Sequence, residues 1–229
     1  MQQLLDTQYH ELILRSPLFA ELSESELPHM LNCLNARQKE IESGVFIIRE
    51  RERVEDVGVV LKGKIMVITE DIFGNRSINA KLGPGDLFGQ VAASREGSTS
   101  PVSVITDTDC TIMWLSFSTL VRPCEKACAF HSRVIENMMG VLSQRNLLMS
   151  RKLAILSQRT TRDKLLAFLS WQSQDQGSND VVIPYTREEL ADFLCVNRSA
   201  LSREISLMVE DGLIQTKRNH FIIYEHLDY

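Results

Sequence analysis

At 229 residues the chain can hold two modest domains or one large one, and 44% hydrophobic with 24% charged residues is the balance of a folded globular protein. No apolar run approaches the roughly 20 residues that span a bilayer, which argues against a membrane protein. The opening MQQLLDTQYHELILRSPLF lacks a basic start and a continuous apolar stretch, which argues against a secretory signal. Five cysteines at irregular spacing fit free thiols in a reducing compartment, hence the cytoplasm, better than a disulfide framework. Net charge is −5, and from Gln158 onward 8 Lys/Arg stand against 11 Asp/Glu. A surface for phosphates must therefore be local.

A helical lead-in runs from about Gln2 to Cys33, with Ser23 and Glu26 spaced as a capping box. From Arg37 to about Leu115 short β-branched and aromatic runs follow one another: VFIIRE, VGVVLKG, KIMVITE, SINAKLG, VSVIT and TIMWLS. Turn signals separate them at Ser43-Gly44, Lys62-Gly63, Phe73-Gly74-Asn75, Gly83-Pro84-Gly85-Asp86 and Glu96-Gly97. Such spacing predicts an antiparallel sandwich or barrel, in which Gly83, Gly85 and Gly89 permit positive φ and close backbone approach. Pro123 then opens a helix predicted over 124–157. Its heptads place Ile135, Leu142, Met149 and Leu156 at a, and Met139, Asn146 and Leu153 at d. A neighbouring stripe holds Val134, Met138, Val141, Leu148 and Ile155. One stripe can pack on the β-domain while the other pairs with a second copy, Asn146 fixing register; a single buried helix in a monomer is the alternative. A further helix begins near Thr160, a polar loop is expected over 172–180, and Val181 to Pro184 reads as a strand. The predicted divisions are 1–122, 123–157 and 158–229.

The segment TREELADFLCVNRSALSREISLMVEDGLI carries the most information. Thr186 and Glu189 form a capping box for a helix over Arg187 to Leu194, and Asn197 caps a second that stops at Gly212. Only Cys195 and Val196 lie between, so the helices must cross steeply, with Ala191 allowing close approach. Leu190, Leu194, Val196, Leu201, Ile205 and Met208 supply a shared core. This is a helix-turn-helix pattern, although Cys195 stands where glycine is common and Glu204 where an apolar residue is common. The second helix has a polar face of Arg198, Ser199, Ser202, Arg203 and Ser206, fit to enter a major groove. Lys217-Arg218-Asn219-His220 forms the tip of a β-hairpin wing suited to phosphate contact.

Over nearly its full length the chain resembles the CRP/FNR family of transcription regulators. The segments that carry the likeness are Gly83-Pro84-Gly85-Asp86-Leu87-Phe88-Gly89, Thr161-Arg162-Asp163-Lys164-Leu165-Leu166 and the helix-turn-helix. The resemblance implies an α+β fold: an N-terminal antiparallel β-roll like that of cyclic-nucleotide-binding domains, a long dimerisation helix and a C-terminal winged helix-turn-helix. It implies a homodimer on near-palindromic double-stranded DNA, communication with RNA polymerase, and base reading by Arg198, Ser199 and Arg203.

In the family's cyclic-nucleotide binders a Gly-Glu pair holds the ribose and an Arg-Ser pair the cyclic phosphate. The equivalents here are Gly89-Gln90 and Ser100-Pro101. Without the arginine a buried phosphate loses its charge-assisted partner, and proline removes a backbone donor, which argues against cyclic AMP or cyclic GMP. A hydrophobic or acidic effector near Gly89, Gln90, Ser100, Pro101, Met149 and Ser150 remains open. The family's iron-sulfur sensors use an N-terminal cysteine cluster, and no cysteine precedes Cys33. Cys124, Cys128 and His131 share one helical face; they can be a redox switch, a soft-metal site or simple packing. No histidine lies between residues 37 and 120 to build a cupin metal site, and no nucleophile elbow or phosphate loop is present, so catalysis is not expected. The rival reading is a ligand-binding signalling module that does not touch DNA, such as a kinase regulatory subunit.

Overall fold

A computed structural model describes residues 6–93, 99–122 and 129–224. They fall into two compact units, Met1–Thr69 with Asn79–Arg145 and Glu70–Ile78 with Asn146–Tyr229. No helix among the described residues is long and apolar enough to cross a membrane.

The first unit opens with α1 (His10–Arg15) and α2 (Leu27–Cys33). There follow β1 (Arg37–Ile41), β2 (Phe46–Ile48), β3 (Asp56–Lys62), β4 (Ile65–Glu70), β5 (Arg76–Leu82), β6 (Leu87–Phe88), α3 (Gln90–Ala93), β7 (Ser103–Thr106), β8 (Cys110–Ser116) and α4 (Phe117–Val121). Two four-stranded sheets result, ordered β1-β8-β3-β6 and β2-β7-β4-β5. The pairings of β8 with β1 and β3, and of β7 with β2 and β4, are antiparallel. Strand β3 explains why Val57-Gly58-Val59-Val60-Leu61 is a continuous apolar run. Val57, Val59 and Leu61 pack with the lead-in helices, whereas Val60 joins Ile48, Ile65, Phe88 and Ile112 in a second cluster. A strand covered on both faces cannot alternate with polar residues. Gly58 is obligatory, since a Cβ there would stand 2.2 Å from the Phe88 ring.

The Gly83–Asp86 turn docks on β3. Gly85 donates to the Val60 carbonyl at 2.8 Å, and Val60 donates to the Asp86 carbonyl at 3.0 Å. Gly85 and Gly89 have φ of 91° and 83°, whereas Gly83 is not among the positive-φ residues, and its N–H donates to the Asp86 carboxylate at 2.8 Å. Ser23 and Glu26 do bond to each other, yet they close a turn ahead of α2, whose N-cap is Glu26 itself. The polar strand β1, Arg-Gln-Lys-Glu-Ile, carried no apolar alternation by which to be named.

α5 (Ala129–Leu156) has 28 residues, about 42 Å at 1.5 Å each. Its expected start at 123–128 lies outside the described residues. Val134 and Met138 are buried in the first unit's core, where Asn137 donates to the carbonyls of Leu18 and Ala20 and Arg145 to that of Leu87.

The second unit holds α6 (Thr161–Gln176), β9 (Asp180–Val182), α7 (Arg187–Leu194), α8 (Arg198–Glu210), β10 (Ile214–Lys217) and β11 (His220–Ile223), with an antiparallel sheet ordered β10-β11-β9. Thr160 caps α6 by accepting from the Asp163 N–H at 3.1 Å. The loop expected from Gln172 is shorter: the helix runs on to Gln176 and stops at Gly177, φ 62°. Gln172 is buried and bonded to Gln176, so its polarity did not mark a helix end. Phe168, Tyr185 and Phe193 form the centre, with ring centroids 4.9–6.1 Å apart.

Candidate nucleic-acid interface

Helix α7 begins in a complete capping box: Glu189 N–H donates to Thr186 Oγ1 at 3.3 Å, and Thr186 N–H to Glu189 Oε2 at 2.7 Å. It ends at Cys195, whose φ of 52° and ψ of 51° are left-handed. The Val196 N–H donates to the Ala191 carbonyl at 3.0 Å and closes the turn. Asn197 then caps α8 by accepting from the Ser199 N–H at 2.8 Å and from its hydroxyl at 2.6 Å. Ala191 is buried, and Leu190, Leu194, Leu201, Ile205 and Met208 form the shared core, with Val196 half-buried.

The opposite face of α8 is open. Arg198, Ser199, Ser202, Arg203 and Ser206 are all exposed. Arg198 makes one loose contact, 3.5 Å from Glu188, and its side chain stays 66% exposed. Both positions that depart from the helix-turn-helix pattern have a local account. Cys195 occupies the left-handed backbone that glycine adopts without penalty. Glu204 receives Arg162 Nε at 2.6 Å, and the same guanidinium gives Nη2 to Asp211 at 2.7 Å. These two bonds raise the Arg162 pKa and hold α8 to the start of α6. Lys164 caps the end of α7 by donating to the Leu194 carbonyl at 3.3 Å.

Strands β10 and β11 pair from Lys217↔His220 and are joined by Arg218 and Asn219, with Arg218 at φ 57°. Lys217 and Arg218 are exposed at the tip. Asn219 donates to the Ile183 carbonyl at 3.0 Å, and His220 bonds Asp180, so the tip is tied to β9. Arg187 lies over the Phe221 ring, 4.6 Å from its centroid, and donates to Thr216 Oγ1, which joins α7 to the wing. On α5, Lys152 donates to the Ile78 carbonyl and lies 4.6 Å from the Phe193 centroid; burial pushes its ammonium down to about 8.

Of the expected effector positions, Gly89, Gln90, Ser100 and Pro101 belong to the first unit and Met149 and Ser150 to the second. Gln90 and Ser100 are buried in the first unit and Pro101 is exposed there. The Ser100 hydroxyl donates to the Val102 carbonyl at 2.7 Å. Met149 and Ser150 belong to the second unit and are exposed. Of the heptad positions, Met139 and Leu153 are 61% and 67% exposed, Met149 and Asn146 are exposed, and Ile135, Leu142 and Leu156 are half-buried. Cys124 and Cys128 lie outside the described residues. His131 is buried, with Nε2 3.3 Å from the Leu120 carbonyl and Nδ1 3.6 Å from Cys33 Sγ. No group of metal-ligating side chains occurs among the described residues.

Two family models match in tandem: the cyclic nucleotide-binding domain over residues 38–126 and the Crp-like helix-turn-helix domain over 163–228. The chain belongs to the CRP/FNR family. A cAMP-activated global transcriptional regulator CRP of Haemophilus influenzae is 25% identical over 182 residues, covering 78% of this chain and 80% of the relative. A cyclic AMP receptor protein of Thermus thermophilus is 25% identical over 203 residues, covering 87% and 88%. Among solved structures, the c-di-GMP-responsive global regulator CLP of Xanthomonas campestris has a TM-score of 0.71 at 18% identity, covering 88% of this chain and 99% of that one. The protein is thus a DNA-binding transcription regulator with a CRP/FNR fold, and the relatives named are regulators rather than enzymes. Within that fold, Arg162, Lys164 and Arg187 are supporting residues that sequence reasoning had not assigned. The charged residue at position 204 was the one signal that could have led to Arg162.

Proposed function

We propose that two copies of this regulator bind a near-palindromic DNA site, each inserting α8 into a major groove while its wing tip rests on phosphate. The observation that carries this reading is the exposed face of Arg198, Ser199, Ser202 and Arg203 beside the exposed Lys217 and Arg218. It gathers cations where a chain of net charge −5 needs them. Pairing through α5 is supported by the apolar stripe of Met139, Met149 and Leu153, which no part of the chain covers among the described residues. RNA polymerase as the downstream partner follows from the family alone.

The effector of the roll is a small molecule other than a cyclic nucleotide. Proline at 101 offers no backbone N–H, and the buried Ser100 hydroxyl is committed to Val102. A redox role for Cys124 and Cys128 stays a separate proposal, tested by whether Cys124→Ser abolishes any oxidant-dependent change in DNA affinity.

Arg203→Ala tests the reading face. Binding to variant operators, measured by gel shift, should lose about 1–3 kcal/mol of preference at one base pair. Lys217→Ala should weaken all sequences alike and flatten the salt dependence by about one ion. Undiminished sequence preference in the Arg203 variant defeats the assignment.

A further inference from the structure

Helix α7 carries the acids Glu188, Glu189 and Asp192, and their surroundings differ. Glu189 is held in the capping box with Thr186. Asp192 is half-buried, and burial pushes its carboxyl up against the opposing pull of Arg76. Glu188 is exposed, and its Oε2 lies 3.5 Å from Nη1 of Arg198, the residue that opens α8. The short turn through Cys195, Val196 and Asn197 is what brings the two together. The side chains are 70% and 66% exposed, so the pair contributes little to stability. Arg203, the other arginine on the face, has no acidic partner among the described residues.

A carboxylate at this place acts in two ways once DNA arrives. Phosphates line the groove, and a negative charge beside the leading residue of α8 repels them whatever the base sequence. A guanidinium, however, presents five N–H donors in a rigid fork, so one edge can stay on a carboxylate while the others grip guanine O6 and N7. Water leaves the groove as α8 enters, which strengthens a contact that solvent screens in the unbound protein. Held in this way, Arg198 gives up less rotamer freedom when it meets the base. On the reading that α8 enters a major groove, on which this inference rests, we infer that Glu188 is a specificity-determining residue. It holds Arg198 in the orientation that reads one guanine and weakens binding to DNA that lacks it.

The probes are a fluorescein-labelled duplex selected from a random library by the unaltered protein, its single-base-pair variants, and the unselected library, each titrated by anisotropy. Glu188→Ala should tighten binding to the unselected duplexes about threefold at low salt. It should also reduce preference about fivefold at one base pair, the same one at which Arg198→Ala loses preference. Preference at the base pair read by Arg203 should hold. Adding Glu188→Ala to Arg198→Ala should remove nothing further at the shared position. Glu188→Gln keeps an oxygen acceptor without the charge, so it should tighten unselected DNA equally while retaining more of the preference. Glu188 also lies in the first turn of α7, where the helix dipole favours a carboxylate. A slightly lower thermal midpoint with preference unchanged at every base pair would mean that this is its whole role, and the inference is overturned. Loss spread evenly over all base pairs overturns it as well. If the unaltered protein does not distinguish selected from unselected duplexes, the reading of α8 falls too. Preference lost in Arg198→Ala but intact in Glu188→Ala sinks this inference alone.

Discussion

The helix-turn-helix departs from its family's pattern at two positions and the roll at three, and they do so in opposite ways. In the helix-turn-helix each departure is answered nearby: Glu204 meets Arg162, and Cys195 keeps the left-handed backbone that the turn requires. In the roll no such answer appears among the described residues. Gln90 stands where the cyclic-nucleotide binders carry glutamate, Ser100-Pro101 where they carry arginine and serine, and the Ser100 hydroxyl turns inward to Val102. Compensation preserves a geometry, whereas uncompensated change removes one ligand chemistry and leaves the scaffold intact. On the function proposed above, the helix-turn-helix keeps its reading face while the roll gives up the cyclic nucleotide.

The largest effect should come from reversing the roll's departures together. Gln90→Glu with Ser100→Arg and Pro101→Ser puts a guanidinium into a buried position, which should destabilise the fold by several kcal/mol, roughly the loss seen when a buried pair is broken. Cyclic AMP should then rescue it, by about 3 kcal/mol at ~100 times the dissociation constant. Thermal unfolding with and without the nucleotide measures both. The unaltered protein should not respond. A midpoint that rises when cyclic AMP is added to the unaltered chain erases the contrast between the two regions.

Much of this architecture was legible because its signals are local. The turns at Gly44, Gly63, Gly74 and Gly85, the Thr186/Glu189 box and the Asn197 cap each need only a few consecutive residues, and the structure has them, while Glu96-Gly97 lies outside the described residues. The α5 stripes followed from periodicity alone, with Val134 and Met138 inside and Met139 and Leu153 outside. What escaped depends on partners distant in sequence. β1 is a strand because β8 pairs with it from Arg37↔Trp114 to Ile41↔Cys110, not because Arg-Gln-Lys-Glu favours one. The end of α6 moved because Gln172 is buried and accepts a bond from Gln176 within the helix. Arg162 acquires its role from residues 42 and 49 positions away.

The middle-sized effect tests whether Glu204 is truly answered. Arg162→Ala takes this partner from the Glu204 and Asp211 carboxylates, and a double-mutant cycle with Glu204→Ala should return a coupling of about 1–2 kcal/mol for a partly exposed, two-bonded arginine. Denaturant unfolding supplies the four free energies. Glu204→Leu, which restores an apolar side chain at that position, should recover stability in the Arg162→Ala background. It should also remove the sensitivity to salt that an ion pair confers. Zero coupling would mean the pair is incidental and the departure at 204 merely tolerated.

The smallest effect belongs to the turn. A side chain at φ 52° meets the steric penalty of the left-handed region, and glycine does not. Glycine also loosens the unfolded chain, and Cys195 gives up a contact to the Ser77 hydroxyl at 3.4 Å, so the two effects partly offset. Thiols bond weakly, however, and the backbone should decide the sign. Cys195→Gly is therefore expected to stabilise the protein by about 0.5–1 kcal/mol, a rise in melting temperature of roughly 2–4 °C per kcal/mol for a chain of this size. Cys195→Ala supplies the control, because it removes the sulfur while keeping the Cβ and should bring no gain. If glycine destabilises as much as alanine does, the thiol rather than the backbone holds the turn, and Cys195 is a chosen residue instead of a tolerated one.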